Sequence, residues 1–103
     1  MTLKQSNFKQ PIAEKGCLFL CYCYIADIQT DDEANEAFDF AVENGLVRES
    51  DCYNQLGPDA MVRKLCDRFG TSRIEGLTRK KVGDHWVVVD ADGDEVYDPT
   101  YGI

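Results

Sequence analysis

At 103 residues the chain has room for one hydrophobic core and no second domain. Its 19 acidic residues outnumber 11 basic ones, for a formal net charge of −8. That is the wrong sign for general binding to nucleic-acid phosphates or to an anionic bilayer surface. No stretch approaches the ~18 apolar residues of a membrane span, and Met1–Lys15 lacks the apolar run of a secretory signal. The cysteines number five, an odd count, which with no export signal predicts free thiols in a reducing cytoplasm rather than a disulfide framework.

Residues 1–14 are polar, contain Pro11, and read as an N-terminal arm or loop. From Gly16 to Ala26 the chain is apolar on every side, too long for most strands, which predicts a helix covered from several directions. Thr30, followed three positions on by Glu33, is a capping-box pattern. Ala34, Ala37, Phe38 and Ala41 behind it form a helical stripe that stops before Gly45. Leu46–Val47 is short and strand-like. Pro58 opens a third helix, striped by Met61, Val62, Leu65, Cys66 and Phe69 and closed by Gly70. Residues 72–78 suggest a strand. His85–Asp90 is a stronger one, rich in β-branched and aromatic residues. The turn Ala91–Asp94 carries an Asp-Gly hairpin signal and leads into a return strand, Glu95–Asp98. Helices followed by an antiparallel sheet give an α+β domain spanning residues 1–103.

His85 is the single histidine and starts the best strand, while Asp98 ends its partner. A hairpin loop of two or four residues sets Val87 opposite Asp98 and His85 opposite Thr100. Because side chains alternate faces, His85 and Asp98 then become diagonal cross-strand neighbours about 7–8 Å apart. An odd loop breaks this parity. A carboxylate beside an imidazole fixes the ring's tautomer and stabilises the imidazolium, and such a pair commonly serves a nucleophile. Cys17, after Gly16 at the start of the apolar helix, is the candidate, because unpaired N–H groups and the helix dipole favour a thiolate there. Cys21, Cys23 and Cys66 lie inside helices among apolar neighbours, where a thiolate is disfavoured; Cys52 lies in a linker and has no assigned role.

Gly16-Cys17 opening a buried helix, the later His85-Trp86-Val87-Val88-Val89 strand, and Val96-Tyr97-Asp98-Pro99 with Gly102 behind it resemble the papain-like cysteine peptidase superfamily. Within it, the chain is most similar to the bacteriocin-processing peptidase domains associated with some export transporters. The resemblance implies a minimal papain-like fold, with a central N-terminal helix and further helices on a C-terminal antiparallel sheet. It implies Cys17 as nucleophile, His85 as general base and acid, and Asp98 as orienter. The family carries an oxyanion-hole glutamine six residues before the cysteine. That position is Pro11 here, and Gln10, one residue earlier, is the candidate donor. The implied activity is thiol hydrolysis or acyl transfer on a peptide or amide, with no cofactor or metal.

Each feature also has a plainer reading. His85 can be a strand-edge histidine, Cys17 a small buried hydrophobe, and Asp98 turn chemistry before Pro99. Cys17 and Cys21 share a helix face with His85 as a conceivable third ligand, but Cys-x3-Cys without a second pair is a weak zinc pattern. Trp86 is expected on the face opposite His85, as a packing aromatic. Acids gather in two runs without a base, 31–43 and 84–103, and the bases gather between 63 and 81. This segregation suits solubility. It also suits a second function, that of a catalytically inactive module of the same fold that uses its acidic surface to bind a basic protein partner.

Overall fold

The computed structural model describes all 103 residues and confirms a mixed α+β protein. Its elements are a 3-10 turn at Gln5–Asn7, α1 (Ile12–Lys15), α2 (Cys17–Ile25), α3 (Asp31–Glu43), α4 (Pro58–Phe69), β1 (Thr78–Val82), β2 (His85–Val89) and β3 (Glu95–Tyr97). The strands form one antiparallel sheet in the order β1-β2-β3.

Helix α2 is the centre of the molecule, and most of its side chains are buried. Phe19 meets Phe38 of α3 edge-on, with ring centroids 5.6 Å apart, and Tyr24 stacks on Tyr97 of β3 at 4.6 Å. The two contacts cover opposite sides of α2, which is why a helix apolar all round is stable there. Its C-terminal carbonyls are also used: the Thr71 hydroxyl donates to the Ala26 carbonyl at 2.6 Å, and the Ile74 N–H donates to the Ile25 carbonyl. Helix α3 starts as its sequence predicts, with the Glu33 N–H donating to the Thr30 hydroxyl. Helix α4 ends at Gly70, whose φ of +67° makes the left-handed turn that lets Thr71 donate back to the Cys66 carbonyl. No helix is long and apolar enough to cross a membrane.

Several expectations need correction. Residues 1–14 are not simply an arm or loop: they contain a 3-10 turn and most of α1, and Leu3, Phe8 and Ile12 join the main core. Asp31 holds this segment, accepting from the Leu3 N–H at 2.7 Å and from the Asn7 amide at 3.1 Å. The spacing of three scattered apolar residues was too irregular to reveal this. The first strand is Thr78–Val82, not 72–78. It is joined to β2 by Gly83-Asp84, where Gly83 has φ +62°, as a tight hairpin turn requires. Leu46–Val47 contributes only a single bridge, between Val47 and Asn54.

A further correction concerns the turn between β2 and β3. Strand pairing closes at Val89 opposite Glu95, so the loop is Asp90–Asp94 and its length is odd. An odd loop alone would have turned Asp98 away from His85. A bulge between this pair and the next, Val88 opposite Tyr97, places Val96 as an extra residue and restores the expected register.

Candidate active site

Local structure at the start of α2 is tightly constrained. Gly16 joins α1 to α2, and a Cβ there would lie 2.6 Å from Ile12 Cγ2 and 2.8 Å from the Ile12 carbonyl oxygen. Only glycine allows the two helices to abut, and this junction places Cys17 at the first position of α2. Cys17 is half-buried, whereas Cys21, Cys23, Cys52 and Cys66 are buried; all five thiols are free. Burial, then the charges of Cys17 and Asp98, push the Cys21 thiol far above its ordinary range. Burial does the same to Cys23, and pushes Cys52 up to about 11. Neither Cys21 nor Cys23 is suited to act as a thiolate.

Cys17 lines a cleft of about 520 Å³ together with Tyr22, Cys52, Asn54, Arg79 and Trp86. Trp86 and Arg79 belong to the sheet face that meets α2, as do Val88 and Tyr97. Trp86 thus lies opposite His85, as expected from alternation along β2.

The structure brings His85 and Asp98 together, their Nε2 and Oδ1 atoms 2.6 Å apart. The Thr100 hydroxyl lies 3.1 Å from the same Nε2, and the Thr100 N–H donates to Asp98 Oδ1 at 2.9 Å. The Asp98 carboxylate, the turn that follows it and the imidazole therefore form one hydrogen-bonded unit. Burial opposes the charge on Asp98, but bonds to His85 and to the Thr100 N–H outweigh it and hold the carboxyl below its ordinary range. With Nε2 engaged, Nδ1 is the ring nitrogen left for a reacting group.

The pair does not sit where it was expected. For Cys17 to be served by this pair, His85 and Asp98 would face the start of α2. Alternation instead groups His85 with Val87 and Val89, which are buried outside the main core, on the face away from α2. Trp86, the larger apolar side chain, takes the helix side. No hydrogen bond joins Cys17 to His85, and neither His85 nor Asp98 lines the cleft that Cys17 faces. Trp86, which lines the cleft, is the residue next to His85 in β2. Gln10 is exposed, precedes a cis peptide bond to Pro11, and lies outside the cleft wall.

Sequence reasoning did not assign roles to Thr100, Arg79 or Lys81. For Thr100 a signal was present, because the predicted register already set it opposite His85. For Arg79 and Lys81 it was masked because the first strand was placed at 72–78 and none at 79–82, which hid the alternation that turns both toward Trp86. No protein-family model, curated protein or solved structure matches this chain.

Proposed function

We propose that the protein is a small papain-like thiol hydrolase or acyl transferase acting on a peptide or amide in the cytoplasm. The observation that carries this reading is the His85–Asp98–Thr100 unit, which holds one imidazole nitrogen and leaves the other free. In the proposed reaction His85 takes the proton of Cys17. The thiolate attacks the carbonyl carbon, and His85 returns the proton to the leaving amine. Water or a second amine then releases the acyl group and regenerates the thiol. Asp98 orients the ring and stabilises its cationic form. Gln10 is off the cleft wall, so the oxyanion falls to backbone N–H groups at the start of α2, which have no partner within the helix.

For this chemistry Cys17 and His85 must meet at the end of the sheet where β2 begins. Brief labelling with iodoacetamide at neutral pH, followed by mass spectrometry, tests the thiol directly. Cys17 is expected to alkylate first among the five cysteines, and to lose that lead in His85→Ala. In activity assays Cys17→Ser and His85→Ala should each reduce turnover by at least ~10²-fold, with the double variant no worse than either single. Labelling of Cys17 no faster than of the buried thiols overturns the reading.

The absence of a Cys17–His85 hydrogen bond favours a second reading, an inactive module of this fold that binds a basic protein. Helix α3 supplies six acids and no base within Asp31–Glu43. On that reading Cys17→Ser is silent, Glu36→Lys with Glu43→Lys weakens association, and wild-type binding falls as salt rises.

A further inference from the structure

The wall of the Cys17 cleft has a chemistry the proposed hydrolysis does not use. Three cations line it, Lys15, Arg79 and Lys81. None belongs to an ion pair: the salt bridges of the molecule are Arg48–Asp51, Arg73–Asp59 and His85–Asp98. On a chain of net charge −8, a wall that sets three unpaired cations against three acids lacks the acidic excess of the whole. The acids facing them are Asp51, already held by Arg48, and Glu14 and Asp84.

Arg79 is the best placed of the three. Its guanidinium carbon lies 4.5 Å from the Trp86 ring centroid and 6.0 Å from that of Tyr22, and the Lys81 ammonium lies 6.0 Å from Trp86. Stacking holds the planar fork in place while supplying no counter-charge. Two buried side-chain polar atoms in the whole molecule lack a hydrogen-bond partner, Arg79 Nε and Asn54 Oδ1. Both belong to residues of this wall. One is an unused donor and the other an unused acceptor. Orphaned groups of this kind are uncommon in folded proteins, and they mark this wall as incompletely satisfied.

We infer that the cleft binds an amide bearing a carboxylate, an acidic peptide, with the carboxylate on Arg79 and Lys81, its hydrocarbon part on Trp86 and Tyr22, and a peptide N–H toward Asn54. That such a ligand is also the substrate of Cys17 rests on the hydrolase reading above. A carboxylate suits the bidentate geometry of Arg79. A dianionic phosphate offers no N–H to Asn54 and meets Glu14 and Asp84 with twice the charge. The volume is in the range of sites for small organic ligands and takes a short peptide segment.

Trp86 is the only tryptophan, so its emission reports on this cleft alone. Full-length Cys17→Ser protein, unable to turn over, is titrated with N-acetyl-Ala-Glu-amide, with N-acetyl-Ala-Gln-amide and with inorganic phosphate, and the affinities are checked by calorimetry. The glutamate peptide should bind roughly tenfold more tightly than the glutamine peptide, one charge-assisted pair's worth of discrimination. Arg79→Gln in the same background should erase that preference, and Lys81→Gln, which alters an exposed side chain and leaves the aromatic stack intact, should weaken it about threefold. Equal affinity for the two peptides, a preference that survives Arg79→Gln in folded protein, or phosphate binding as tight as the glutamate peptide overturns the inference. The two proposals fail separately. A glutamate preference with an unreactive Cys17 removes the hydrolase and keeps the binding site, whereas a reactive Cys17 with no preference removes only the ligand class.

Discussion

The two faces of strand β2 do different work with adjacent residues. Toward α2, Trp86 and Val88 join Tyr97 in contacts that carry the fold, and the Tyr97 hydroxyl donates to the buried Leu3 carbonyl at 2.6 Å. Away from α2, His85 and its partners Asp98 and Thr100 form a polar unit open to solvent on one side. The helix face depends on burial, which is insensitive to pH across the neutral range. The outer face depends on a carboxylate whose charge is held by hydrogen bonds. One strand of five residues can serve both because alternation separates them by a single position. The same alternation sets the thiol of Cys17 and the imidazole of His85 on different sides of the sheet.

The junction that aims Cys17 at the helix-side cleft is the most sensitive point of this arrangement. Gly16→Ala would press a methyl group against Ile12 side-chain and backbone atoms closer than 3 Å, and backbone cannot yield as a flexible side chain does. The expected cost is about 2–3 kcal/mol, at the upper end for overpacking, read as a lower urea midpoint with unchanged slope. The variant should also change Cys17 alkylation, because separating α1 from α2 moves the first turn of α2. Full stability with unaltered labelling would show that the junction does not position Cys17.

Tyr97→Phe probes the helix face itself. It retains the stack on Tyr24 and removes only the hydroxyl, leaving the Leu3 carbonyl without its donor. A loss of about 1–2 kcal/mol is expected in denaturant titration. Burial keeps this phenol protonated far above its ordinary range, so the loss should be the same at pH 4 and pH 8.

Much of this architecture was legible in the sequence because it depends on local pattern. Thr30 with Glu33, Pro58 with Gly70, and the all-round apolar run after Gly16 each carry their own signal, and all three helices start within a residue of the expected place. The pairing of His85 with Asp98 was legible from strand periodicity, although the turn differed: two departures, an odd loop and the Val96 bulge, offset one another. What was not legible depends on contacts distant in sequence. Leu3 is buried because Tyr97 and Asp31 reach it from 94 and 28 residues away. Which face of β2 meets α2 is decided by where Trp86 packs, and alternation alone cannot distinguish the two. That choice separates Cys17 from His85, so the placement of the thiol relative to the His85–Asp98 pair was not legible.

Asp98→Asn is the smallest perturbation and the one that contrasts the faces most directly. It keeps the side chain's size and an acceptor oxygen for the Thr100 N–H, and removes the charge beside His85. Because the carboxyl is held below its ordinary range in the folded protein, its charged form contributes stability above the unfolded-state value, about 4. That contribution fades as pH falls through the lower folded-state value. At pH 7 the variant should therefore be less stable by about 1 kcal/mol, the scale of a hydrogen bond to a charged group on a partly solvated surface. The two proteins should converge as the pH falls below the unfolded-state value. Asp51, held at about 2 chiefly by its hydrogen bond from Arg48, titrates in the same window. It is common to both proteins and cancels in their difference. Parallel stability curves from pH 2.5 to 7, the behaviour expected of Tyr97→Phe, would mean that the Asp98 charge does not stabilise the folded state, and with it the proposed role of Asp98 in orienting His85 would be lost.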